Sequence, residues 1–211
     1  VTLLLSGDGT NGGQNNTFLD SSTNNFTITR NGNTTQGSFS PYGNLWSNYF
    51  DGSSYLSASA SAGLSGAGSF TLEAWIFPTI TSGQDNCIYE TRGGSGWVLF
   101  IPSGATTLQV YDSAGGLLAA STSGATLNTW NHIALVKNGS TCTYYINGVS
   151  AGGFTLSSFA SATGVRIGTR NDATNSFRGY ISNLRSVTSA VYTSNFTPST
   201  TPLTAIANTS L

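Results

Sequence analysis

The sequence predicts an all-β chain folded as an antiparallel two-sheet sandwich of the jelly-roll kind. Three observations carry this. Apolar and polar residues alternate with period two in several short runs, the pattern of strands with one buried face. Turn dipeptides recur at the spacing of about 8–12 residues that a sandwich requires. Ser, Thr, Gly and Asn fill about half of the 211 residues, well above average usage, and all four are poor helix formers. About ten to thirteen short strands are expected on this spacing.

The elements follow in chain order. Val1-Thr2-Leu3-Leu4-Leu5 opens in what reads as a strand, and residues 6–25 read as a long Gly- and Asn-rich loop. Asp51-Gly52 is expected to join Tyr49-Phe50 to Tyr55-Leu56 as a hairpin turn. Residues 57–69, nearly all Ser, Ala and Gly, read as irregular. From Phe70 to Phe77 the chain alternates, with Phe70, Leu72, Ala74 and Ile76 on one face and Thr71, Glu73, Trp75 and Phe77 on the other. The unbroken apolar run Trp97-Val98-Leu99-Phe100-Ile101 reads as a strand covered on both faces. Leu108 to Tyr111 and Trp130 to Lys137 alternate again. Asn138-Gly139 and Asn147-Gly148 then flank a returning strand as hairpin turns. Val165 to Gly168 and Phe177 to Ser186 complete the set, and Ser189 to Asn195 is expected to form one helical turn.

Charge excludes some function classes. Seven Lys and Arg against eight Asp and Glu give a net charge of −1. The cations are scattered, so the basic stripe of a nucleic-acid binder is missing. No apolar run approaches the ~20 residues that span a bilayer, so no membrane insertion is expected. Solubility rests on hydroxyls and amides, a surface with little charge for salt to screen, which suits work outside a cell. Cys87 and Cys142 are expected to be small buried residues rather than a disulfide framework. Val1 instead of Met, with no signal-peptide pattern, leads us to expect a segment of a longer or processed polypeptide.

Catalytic constellations are weak. A glycosidase needs two carboxyls across one bond, and Glu73 stands alone on its strand between Thr71 and Trp75. The single histidine, His132, lies in an apolar strand and is expected to be packed rather than a general base. There is no Gly-x-Ser-x-Gly elbow. One His and two distant Cys exclude zinc. Calcium takes six to eight oxygens, and the loop holding Asp8 and Asp20 offers two carboxylates and many carbonyls. The residues best suited to a sugar, by pairing aromatic faces with hydrogen-bonding forks, are Trp46, Arg92, Trp97, Arg170, Asn171, Asp172 and Arg178. The four tryptophans also suit a core.

Five motifs in order resemble a known family: Asp51-Gly52-x-x-Tyr55-Leu56, Phe70 to Ile76, Trp130 to Val136, Tyr145-Ile146-Asn147-Gly148 and Gly179 to Arg185. They resemble the laminin-G-like, concanavalin A-like jelly-roll domains of lectins and glucanases. The opening Leu4 to Gly12 and the ending Asn195-Phe196-Thr197-Pro198 with Pro202 to Ala205 are similar to such modules in tailed-bacteriophage virion and tail-fibre proteins. The resemblance implies a jelly-roll domain over residues 1–195 and an extended arm over 196–211. It implies a structural calcium held by an N-terminal acid and Asn183, where relatives often carry Asp. The acid run Glu-x-Asp-x-x-Glu of glucanases with this fold is missing, so no enzyme is expected. The expectation is therefore a non-enzymatic module on a virion surface or fibre, an extracellular setting, acting in host-glycan adhesion or virion assembly. Its partners would be a host-surface glycan or other virion chains, and it would form a homo-oligomer. The alternatives are a secreted carbohydrate-binding lectin module and, behind it, a glycoside hydrolase of the same fold.

Overall fold

In the computed structural model, residues 2–7, 17–43, 46–93 and 95–206 are described. They contain fifteen strands: β1 Leu3–Leu5, β2 Thr29–Asn31, β3 Thr35–Gly37, β4 Ser47–Asp51, β5 Tyr55–Ala58, β6 Phe70–Pro78, β7 Asn86–Glu90, β8 Trp97–Ile101, β9 Thr107–Asp112, β10 Leu117–Gly124, β11 Asn131–Asn138, β12 Thr141–Ile146, β13 Val149–Thr155, β14 Val165–Ile167 and β15 Arg178–Val187. Two sheets result. One has the order β13-β12-β11-β6-β15-β4-β3, with β1 also paired to β15, and the other runs β10-β9-β8-β7-β14-β5-β2. The paired strands are antiparallel throughout. The jelly-roll expectation is met.

The alternation decides which side chains make the core. Phe70, Leu72, Ala74 and Ile76 of β6 face Ile88, Leu99, Ile101, Leu108 and Val110 of the other sheet within one cluster, which Ile133 and Leu135 of β11 join. The run in β8 is buried along its whole length because Val98 and Phe100 pack on the outer face, against Cys87 and Tyr111. Cys87 and Cys142 are both buried and unpaired.

Three turns differ in instructive ways. Asn147 and Gly148 both take positive φ, 52° and 78°, as a two-residue type I′ hairpin demands, and Ile146 pairs directly with Val149. At the other turn, Asn138 still pairs with Thr141. The loop there is Gly139-Ser140, with glycine first at φ 58°, the glycine position of a type II′ turn. Asp51-Gly52 does not close a hairpin: β4 belongs to one sheet and β5 to the other, so this short link crosses the sandwich. The Asp51 carboxylate fixes the bend by accepting from the Ser53 N–H and hydroxyl, at 2.8 and 2.9 Å.

The expected helical turn at Ser189–Asn195 is also absent; the segment runs as bends. Tertiary bonds outcompete it. The Thr71 hydroxyl donates to Ser189 O and accepts from Val191 N, which pulls the chain flat against β6. The described part of the C-terminal arm then lies along the outer face of the eight-stranded sheet. Tyr192 and Phe196 stack at 3.6 Å, next to Tyr145 and above Ala134 and Val136. Phe196 N donates to Gly148 O, and a side chain on Gly148 would collide with the Phe196 carbonyl. Leu203 and Ile206 close over Leu4 and Val187.

Under this arm sits a buried ionic knot. Glu73, fully buried, accepts from Arg185 Nε and Nη2 at 2.9 and 2.6 Å on one oxygen. His132 Nε2 at 3.1 Å and the Tyr192 hydroxyl at 2.8 Å engage the other. Burial pushes the Glu73 carboxyl up, but the His132 hydrogen bond and the Arg185 charge outweigh it and hold it below the ordinary value. His132 is buried as expected, though beneath the arm rather than between the sheets.

Candidate functional site

The arm packs on the outer face of the eight-stranded sheet over Ala134, Val136 and Tyr145, and the seven-stranded sheet carries a groove on its own outer face. Direct strand pairing sets Thr29, Ser57, Arg166, Glu90, Val98 and Tyr111 side by side across β2, β5, β14, β7, β8 and β9. Directly paired residues share a face, so this row runs across the outer surface. A depression of about 320 Å³ lies on it, lined by Tyr55, Ser57, Arg92, Gly93, Thr163 and Arg166 among others. A second, of about 590 Å³, is lined by Asn25, Phe26, Thr27, Thr29 and Ser59 and shares Ser57 and Ala58 with the first. Both lie within the range of about 300–1,000 Å³ usual for small-ligand sites.

Three arginines set the electrostatics. Arg92, at the end of β7, reaches back to Glu90: its Nε lies 2.9 and 3.1 Å from the two carboxylate oxygens and Nη2 lies 2.8 Å from one. Burial opposes the Arg92 charge, but the Glu90 hydrogen bonds and charge outweigh it and raise its pKa. Arg166 sits 5.4 Å above the Tyr55 ring and donates Nη1 to the carbonyls of Arg170 and Asn171. Arg170 lies 3.4 Å from Asp85. Asp172 caps its own loop by accepting from Thr174 N and Oγ1. Its slight burial would raise its pKa, but the Thr174 bonds hold it low.

Of the residues singled out in sequence, Arg92, Arg170, Asn171 and Asp172 therefore gather at this face and its rim. Arg178 does not line the groove. It begins β15 in the other sheet, packs against Gly52 and donates Nη1 to Ser82 O. Trp46 is half-buried just before β4, beside the eight-stranded sheet, its carbonyl accepting from the Ser182 hydroxyl. Trp97 corrects the expectation: it is 1% exposed. It stacks with Phe70 at 5.7 Å and donates Nε1 to Leu64 O at 2.8 Å. Gly96, at φ 103° and close against Thr91, lets the chain turn just before it, and the indole fills the core. Sequence reasoning missed Tyr55 and Arg166. The polar Arg166 between apolar Val165 and Ile167 was the available signal, since alternation puts the odd residue on the outer face.

Calcium does not fit the two described candidate ligands. Asp20 Oδ1 accepts from Leu4 N and Ser22 N, and Oδ2 from the Ser22 hydroxyl and Phe26 N, all at 2.8–2.9 Å. A carboxylate has about four lone-pair sites, and protein donors fill them. Asn183, at φ 51° in the irregular stretch of β15, accepts from Leu203 N at 2.8 Å. Asp8 lies outside the described residues. Among the described residues no cluster of three His, Cys, Asp or Glu could hold a metal. Melting curves in calcium chloride and in EDTA are expected to coincide. A clear rise in Tm with calcium would show a site that binds the folded chain.

Comparison with known proteins agrees with the architecture. Domain 4 of a GH43 extracellular arabinanase from Geobacillus stearothermophilus, solved with arabinotriose, superposes with a TM-score of 0.67 at 19% identity, covering 90% of this chain and 93% of that one. The binding domain of Paraclostridial Mosquitocidal Protein 1 gives 0.67 at 18% identity, over 90% of this chain and 49% of that one. A structure of botulinum neurotoxin type C, whose cell entry depends on two ganglioside molecules, gives 0.66 at 13% identity, over 90% and 48%. The chain thus spans about half the length of the two toxin structures. No curated protein matches it in sequence. Residues 50–195 match the Laminin_G_3 family model, described as the concanavalin A-like lectin/glucanases superfamily. With two antiparallel sheets in this order and that match over most of its length, the chain belongs to the concanavalin A-like lectin/glucanase superfamily.

Proposed function

We propose that this chain is a non-enzymatic carbohydrate-binding module that holds a glycan in the groove across β5 and β14. One observation carries the reading: the groove combines an aromatic ring, Tyr55, with hydroxyls of Ser57 and Thr163 and the forks of Arg92 and Arg166. Those are the group types that orient a sugar. The arabinanase domain solved with arabinotriose supports it as a sugar-bound example of similar architecture. The described carboxylates support binding over hydrolysis. Glu73 and Glu90 are tied to arginines, and Asp20, Asp51, Asp85, Asp112 and Asp172 accept backbone N–H bonds. Glu73, Asp51 and Asp172 are held below their ordinary pKa, the opposite of what a general acid needs.

The setting we infer is a virion surface, with the module in a symmetric oligomer that meets host glycans. It rests on the opening and closing motifs quoted above. Electron cryo-microscopy of particles tests it, and a free monomer with no particle density overturns it. For binding, the folded protein on a glycan array is expected to retain a defined set of sugars. Tyr55→Ala, with an unchanged circular dichroism spectrum, should weaken the best of them by about tenfold or more, equivalent to about 1.4 kcal/mol. An array without hits, or an unaffected variant, overturns the reading.

A further inference from the structure

We propose that the ligand is an acidic glycan of more than one sugar, lying across β5 with a carboxylate on the Arg166 guanidinium; this rests on the carbohydrate-binding reading above. The charge distribution points there. Only seven cationic residues exist in the chain, and Arg92, Arg166 and Arg170 meet at this one face and its rim. Arg92 is neutralised by Glu90 and Arg170 by Asp85. Arg166 forms no ion pair among the described residues, although Glu90 is its direct neighbour across the ladder, because Glu90 is taken by Arg92.

The geometry of Arg166 is that of a prepared anion fork. Its Nη1 is anchored on two loop carbonyls and its Cζ lies over the Tyr55 ring, 5.4 Å from the centroid. Nε and Nη2 have no protein acceptor among the described residues. A fixed guanidinium with two adjacent free N–H groups matches a carboxylate bidentately, which a lysine cannot do. Arg92, whose Nη1 has no protein acceptor among the described residues, lines the same depression.

Length follows from the shared walls. Ser57 and Ala58 border both depressions, so a chain whose acidic sugar sits at Arg166 continues over Ser57 toward Thr29 and Asn25. The far part carries threonine and serine hydroxyls, an amide and the Phe26 ring, and no cation. It suits neutral sugar units.

Titration calorimetry with 3′-sialyllactose and lactose, and with tri-galacturonic acid, galacturonic acid and a neutral galactotriose, tests this. At least one acidic oligosaccharide is expected to bind tenfold or more tightly than its neutral counterpart, and more tightly than the single acidic sugar. The preference should shrink in high salt and disappear in Arg166→Ala, while Arg166→Lys keeps only part of it. Equal affinity for acidic and neutral sugars, or a preference untouched by Arg166→Ala, overturns the acidic assignment and leaves the carbohydrate-binding reading standing. Equal affinity for single and linked acidic sugars overturns the extended ligand. Failure of every sugar, here and on the array, overturns the reading beneath both.

Discussion

Glu73→Ala is expected to be the most damaging single substitution in the chain, costing about 3–5 kcal/mol, the usual result of removing one partner of a buried ion pair. Arg185 would keep its charge, 5% exposed, with no carboxylate to receive Nε and Nη2. His132 Nε2 and the Tyr192 hydroxyl would lose their acceptor as well. A domain of this kind is stable by only about 5–15 kcal/mol, so urea denaturation should show a much lower midpoint. Glu73→Leu combined with Arg185→Met should recover part of the loss, because paired charges can be replaced by apolar groups more cheaply than one can be stranded. A pH series adds a second readout. The folded-state pKa of Glu73 lies below its unfolded value of 4.5. Its stabilisation is therefore complete above pH 4.5 and is lost as pH falls through the lower folded value. Glu73→Gln should flatten that acid limb; a limb identical to the parent's would mean that other carboxyls govern it.

Trp97→Ala should be nearly as severe, at about 3–5 kcal/mol for truncating a buried aromatic. The indole packs against Phe70, Tyr89 and Phe159, and its loss also leaves the Leu64 carbonyl without its donor. Trp97→Phe keeps most of the volume but not the N–H, so it should cost less. At saturating sugar Trp97→Phe should bind as the parent does, since the side chain does not line the groove. A folded Trp97→Phe with abolished sugar binding would place the site at Trp97 after all.

Legibility in the sequence depended on how local the deciding contacts were. The faces of β6 and β11 followed from alternation alone, and the Asn147-Gly148 hairpin followed from two residues able to take positive φ. Asp51-Gly52 carries the same local signal, yet joins two sheets, because the partner of each flanking strand is chosen by β15 and β14, more than a hundred residues later. The same holds for Trp97: Arg92 to Gly96 describe a flexible turn, and only the packing of Phe70 and Phe159 shows that it ends in the core. The outer faces were hardest. Glu73 and Trp75 alternate as if toward solvent, and the arm from Ser189 onward decides that Glu73 is buried; His132, expected to be packed, finds its cover in that arm and not between the sheets. Of the groove lining only Arg92 was visible in the sequence, with the loop of Arg170, Asn171 and Asp172 at its rim; Tyr55 and Arg166 came into it only through the pairing of β5 with β14.

The contact of Leu4 with Leu203 and Ile206 has an architectural consequence. Both ends of the described fold leave from one corner, beside β1 and β15, whereas the groove opens on the opposite sheet. Such a unit can be spliced into a host chain as a cassette, both joints entering through that corner and the recognition surface turned outward. Circular permutation should exploit the same proximity. Linking the two ends and reopening the chain at the exposed Gly139-Ser140 tip would leave both sheets, and the order of their strands, intact.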